Sequence, residues 1–179
     1  MNKISNKTVE KLKAKDHDAF AEIFFAYKET VYSFAKHNLK NVEDANDCVQ
    51  EIFQKLFINS DKYHIPRNNF NAWFIQLTKN HIIDTLRKKQ HEKDLFIIDN
   101  DYVLNCAGEE ENRDLLISEL QEYLGIEQFM LLTCRILHKI SFRDIAYIFN
   151  INRETARLEY YKILQSAKQY VKGRDIDER

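Results

Sequence analysis

The segment that carries most information runs Ser141-Phe142-Arg143-Asp144-Ile145-Ala146-Tyr147-Ile148-Phe149-Asn150-Ile151-Asn152-Arg153-Glu154-Thr155-Ala156. Ser141 with Asp144 three positions on has the form of a capping box, Asp standing in for Glu, and so opens a helix. Phe142, Ile145, Ala146 and Phe149 make an apolar stripe barely two turns long. Asn150 falls where a tight interhelical turn wants φ > 0, which Asn tolerates better than other non-glycine residues. Ile151 fits the space between two helices, Asn152 caps the second, and small Ala146 suits their crossing. A short helix, a tight turn and a second helix form a helix-turn-helix pattern.

The second helix sorts cleanly at about 100° per residue. Ala156, Tyr160, Ile163, Ala167 and Val171 share one face; Glu154, Arg157, Tyr161, Gln165, Lys168 and Lys172 share the opposite one. A recognition helix needs an apolar back and hydrogen-bonding side chains near its N-terminus. Arg157 suits guanine O6/N7, Glu154 suits cytosine N4, and Leu158 suits a thymine methyl. Arg143, Arg153 and the helix N-terminus suit phosphates. With Asn152, Thr155 and Tyr161 they complete a candidate DNA-reading set. Glu154 and Glu159 near the tip repel phosphate, and helix-turn-helix shapes also bind protein, so that alternative stays open.

Upstream, Leu116, Leu120 and Leu124 mark a short helix closed by Gly125, and Phe129, Leu132, Ile136 and Leu137 mark another. From His91 to about Asn112 periodicity fails, which reads as a linker. Before it lie three helical patterns. Asp16 caps the first, whose stripe is Phe20, Ile23, Phe24, Tyr27, Val31, Phe34 and Ala35. Asn41 or a neighbour opens the second, with Val42, Ala45, Val49, Ile52, Phe53 and Leu56 inward and Asp47, Gln50, Glu51 and Gln54 off the stripe. Asn59 to Asn69, holding the single proline, reads as a loop; the third helix runs from about Phe70 to Lys89 with Trp73, Phe74, Leu77, Ile82 and Leu86 as core.

These patterns predict an all-α chain of two small helical domains joined by an acidic linker, the C-terminal one containing the helix-turn-helix. The expected boundaries are residues 1–92, 93–112 and 113–179. Composition agrees. Three glycines and one proline in 179 residues are too few for β-sandwiches, barrels or dinucleotide folds. The net charge of −1 conceals segregation: residues 1–93 carry 16 basic against 12 acidic side chains, 94–134 carry 1 against 10, and 135–179 carry 10 against 6. The local field therefore leaves room for an anionic partner. Apolar runs fall short of the roughly 20 residues a membrane span needs, so no membrane insertion is expected. The polar, lysine-rich N-terminus gives no signal peptide, and Cys48, Cys106 and Cys134 read as reduced thiols in a cytoplasmic protein.

Both lobes together resemble the extracytoplasmic-function (ECF) sigma factors of bacterial RNA polymerase. The first conserved domain of that family is matched by residues 16–90, most specifically by "EDANDCVQEIF" and "FNAWFIQLTKNHIIDTLRKK". The second is matched by residues 113–172, with "ISFRDIAYIFNINRETAR". The resemblance implies that Asp47, Gln50, Glu51 and Gln54 dock on the clamp helices of the largest subunit of core RNA polymerase. It implies that the loop from Asp61 to Asn69 traps a flipped promoter base at the −10 element. Tyr63 would stack on the base and Asn68 or Asn69 would read its edge, with Arg67, Lys79, Arg87 and Lys88 along the backbone. The helix-turn-helix set would read the −35 element. An anti-sigma factor is a partner common in the family, and the linker is either a spacer or a segment that competes with nucleic acid.

The chain departs from the family at Leu124-Gly125, where Leu-Pro is usual, and at Leu158-Glu159-Tyr160-Tyr161 in the recognition helix. Two alternatives follow: a polymerase-independent helix-turn-helix regulator, or a sigma-like adaptor that has lost promoter reading. An enzyme is not expected. H-E-x-x-H, G-x-x-x-x-G-K-[ST] and nucleophile-elbow motifs are absent from the sequence, and His17, His37, His64, His81, His91 and His138 lack metal-ligand spacing. No metal or other cofactor is implied.

Overall fold

The computed structural model describes residues 4–39, 41–62, 69–95 and 109–177, with backbone alone for 90–95, 109–114 and 175–177. Eight α-helices are present among these residues: α1 (Asn6–Lys13), α2 (His17–Leu39), α3 (Val42–Ile58), α4 (Phe70–Leu95), α5 (Glu109–Leu124), α6 (Ile126–Ile136), α7 (Phe142–Ile148) and α8 (Arg153–Asp177). A 3₁₀ turn at Ser60–Lys62 follows α3. The described residues contain no strand.

Local chemistry sets the starts. Asp16 Oδ1 accepts from Ala19 N–H at 2.8 Å at the head of α2. Asn41 Oδ1 accepts from Glu43 and Asp44 at α3, and Asn152 Oδ1 from Thr155 at 2.7 Å at α8. Gly125 adopts φ 78°, its N–H bonding Gln121 O and its carbonyl starting α6. Asn150 stands at φ 53° between α7 and α8. Ser141 caps α7, but the short Asp144 side chain accepts from the Ser141 hydroxyl at 2.7 Å, not from its backbone amide. The reciprocal half of the capping box is therefore not made.

α2, α3 and α4 pack around Ile23, Tyr27, Phe34, Ile52, Phe53 and Phe74, with rings meeting edge-on, as in Tyr27–Phe74 at 5.2 Å. α1 was not foreseen from the sequence. Capped by Ser5, it buries Val9 and Leu12 against this bundle. α5 to α8 enclose Phe129, Met130, Ile145, Ile148, Ala156 and Ile163. α8 runs well past the helix-turn-helix and returns to α5, where Tyr123 stacks on Tyr170 at 4.6 Å and Arg174 pairs with Glu119 at 2.5 Å.

The two bundles touch. Gln76 Nε2 donates to Tyr147 O at 3.1 Å, and Gln121 Nε2 to Asn38 O at 3.1 Å. His138, after α6, stacks on Phe34 of α2 at 3.8 Å. A cleft of about 550 Å³ lies at this junction, lined in part by Asn71, Ile75, Lys139 and Asp144. Residues 96–108, most of the expected linker, lie outside the described residues, and so does Cys106.

Candidate nucleic-acid interface

α8 presents the face expected of a recognition helix. Ala156 and Ile163 are buried, whereas Arg157, Leu158 and Tyr161 are exposed, Leu158 at 60% and Tyr161 at 53%. Asn152, Arg153 and Glu154 are exposed beside them, and Thr155 is half-buried. An aromatic brace sets the helix angle: Phe142 of α7 meets Tyr160 edge-on at 5.6 Å and lies 6.4 Å from Tyr161. The Arg135 guanidinium lies over the Phe142 ring at 4.7 Å and donates to Ile140 O. Arg143 projects to solvent, its Nε 3.8 Å from Asp144 Oδ1.

On α3, Asp47, Gln50, Glu51 and Gln54 are all exposed, opposite buried Ala45, Cys48, Ile52 and Leu56. Asp44 pairs with Lys89 of α4, which ties the start of α3 to the basic end of α4. Beneath the same face, His81 of α4 is buried between Lys55 and Glu51. Sequence spacing gave no hint of that cluster, because a helical pattern cannot say which neighbouring helix a half-apolar position meets.

The third set is divided. Tyr63, Arg67 and Asn68 lie outside the described residues. Asn69 does not stand free: its Nδ2 is 3.4 Å from Asp144 Oδ1 at the head of α7. Lys79 lies over the Phe149 ring at 4.9 Å, half-buried, and burial holds its ammonium below the usual lysine range. Arg87 and Lys88 are exposed, Arg87 with Glu127 at 3.8 Å. Lys15 was not anticipated. At φ 61° between α1 and α2, it donates to Phe57 O, Ile58 O and Ser60 Oγ at 2.6, 2.8 and 3.0 Å. It thus satisfies the carbonyls at the end of α3.

Among the described residues no cluster of three or more histidine, cysteine or acidic side chains could hold a metal ion, and no helix is long and apolar enough to cross a membrane.

The chain matches the Sigma-70 region 2 family over residues 23–92, which includes α3 and most of α4. It is 36% identical over 90 residues to the ECF RNA polymerase sigma factor SigW of Bacillus subtilis; that match takes in 50% of this chain and 48% of SigW, about half of each. It is 25% identical over 154 residues to the ECF sigma factor SigM of the same organism, covering 82% of this chain and 91% of SigM. In structure it is similar to CnrH, solved in complex with the cytosolic domain of CnrY, at a TM-score of 0.73 over 93% of this chain and 96% of that one. With 11% identity, that likeness speaks for the fold alone. Sigma factors are non-enzymatic regulatory subunits of RNA polymerase. With a region 2 match on the polar-faced helices and relatives that are ECF sigma factors, residues 23–92 belong to the Sigma-70 region 2 family, and the chain as a whole is similar to the ECF sigma factors of bacterial RNA polymerase.

Proposed function

We propose that this chain binds core RNA polymerase and directs initiation at particular promoters, region by region as its family resemblance implies. The carrying observation is the α3 face: Asp47, Gln50, Glu51 and Gln54 exposed together inside the region 2 match. Two carboxylates and two amides with an apolar back are a surface built for a basic partner, here the clamp helices of the largest subunit. α8 reads the −35 element through Arg157, Glu154 and Leu158, with Arg153 and Arg143 on phosphates. The segment that follows the 3₁₀ turn in sequence reads the −10 element through Tyr63 and Asn68 or Asn69, with Arg67, Arg87 and Lys88 on the DNA backbone.

The junction adds a condition. Asn69 and Lys79, two of the −10 side chains, face α7. Promoter reading therefore requires the two bundles to part, which polymerase binding drives. The junction combines apolar packing of α4 on α7 with single polar contacts, Gln76 to Tyr147 O and Gln121 to Asn38 O among them. The solved relative CnrH is bound to the cytosolic domain of CnrY, and an anti-sigma factor that holds the closed form is proposed as a regulator here.

Titration of labelled full-length chain with core polymerase tests the docking. Saturable binding, weakened by reversing the charges of Asp47 and Glu51 to lysine, is expected. Binding that ignores both reversals would contradict the assignment. One observation favours a second reading, the adaptor without promoter choice: exposed Glu154, Leu158 and Tyr161 place a carboxylate and two largely apolar side chains beside Arg153 and Arg157 at the tip of α8. Promoter selection unchanged by Arg153→Glu with Arg157→Glu would support it.

A further inference from the structure

His81 is buried under the outer face of α3, its side chain 5% exposed. Lys55 Nζ lies 2.6 Å from its Nδ1. An ammonium offers three donors and no acceptor, so Nδ1 must accept and the ring hydrogen must sit on Nε2. Glu51 Oε2 stands 3.0 Å from that nitrogen, off the line of its N–H. The Glu51 side chain is still 59% exposed, so its carboxylate spans the ring and the solvent. Glu51 and Lys55 are four apart on α3 and, side by side, would neutralise each other. The ring set between them takes up the lysine and stands, neutral, against the carboxylate through Nε2.

Burial first and Lys55 second hold the imidazole below its ordinary pKa of 6.5, against Glu51 and Asp84, so the ring stays neutral at pH 7.

We propose that His81 is a positioning residue of the docking surface: backed by Lys55, it aims the Glu51 carboxylate outward at a basic partner. The inference rests on the docking reading above and adds a residue that is not itself on the exposed face.

The test is the affinity of the full chain for core RNA polymerase. His81→Leu is expected to weaken binding about threefold to tenfold, as Glu51→Gln does. His81→Gln supplies an acceptor for Lys55 and a donor for Glu51, and is expected to bind within about twofold of the parent. In a Glu51→Gln background, His81→Leu should cause no further loss. Additive losses would mean a merely structural role and overturn the inference. So would a folded His81→Leu chain that binds normally while Glu51→Gln is weakened, a result that leaves the docking itself intact. A parent chain with no affinity for polymerase overturns the docking reading, and this role with it. The ¹⁵N shifts of the His81 ring provide a readout that needs no variant: hydrogen on Nε2 is expected, and hydrogen on Nδ1 overturns the relay.

Discussion

His138 shows how one side chain couples the halves of this molecule to pH. It stacks on Phe34 with its Nε2 buried and without a hydrogen-bond partner. Burial, then the neighbouring His37, push its pKa down from 6.5 to about 4. Between those values the unfolded chain binds a proton that the native chain refuses, so stability rises with pH. The contribution is complete above 6.5 and is lost as pH falls toward 4. For a partly exposed ring, solvent screening reduces it to on the order of 1 kcal/mol. His138→Phe keeps the stack and removes the proton. Its thermal midpoint is expected to fall less between pH 7 and pH 5 than that of the parent, and an equal fall in both would contradict this role.

Whether a residue could be read from sequence depended on where its partner lies. Asn41, Ser141, Asn150 and Asn152 act on backbone one to four positions away, and their spacing announces them. His81, Lys15 and His138 act on other helices, with Lys15 bonding residues 42 to 45 positions on. Local pattern holds no record of such partners. Cys48 and Cys134 are buried thiols pushed up to about 12, so they act as small core residues.

Among elements, α1 and α8 make opposite cases. α1 has only eight residues and a thin stripe of Val9 and Leu12, too little periodicity to stand out beside a lysine-rich N-terminus. Yet Leu12 is 1% exposed, so Leu12→Ala is expected to cost about 2–4 kcal/mol in chemical denaturation. A loss under about 0.5 kcal/mol would show α1 to be dispensable. α8 was legible because 25 residues repeat one face, with Ala156, Ile163 and Ala167 buried as the period demands. Arg157, exposed on its other face, is expected to discriminate one base pair. Arg157→Ala should cost about 1–3 kcal/mol against the preferred −35 sequence and relax choice at that position, measured by transcription from single-base promoter variants. A uniform loss across all variants would reduce Arg157 to a phosphate contact.

At the scale of the whole molecule, the sequence disclosed two helical lobes in order but nothing of their contact. Interlobe bonds such as Gln76 to Tyr147 O join residues 71 apart through single polar groups, and these leave no periodic trace. If the bundles must part to read a promoter, locking them should stop initiation. A chain carrying Gln76→Cys, Tyr147→Cys and Cys106→Ser, joined by a short thiol crosslinker, is expected to lose most promoter-dependent transcription. The same chain before crosslinking should retain it. Full activity in the crosslinked form would contradict the need for opening.

Reconstituted transcription is the most direct measurement. Purified core polymerase, with and without this chain, is given a genomic promoter library, and the RNA 5′ ends are sequenced. The account predicts new start sites that depend on the chain and share a −35 and a −10 element. An unchanged set of start sites, despite measurable binding to the polymerase, would contradict it.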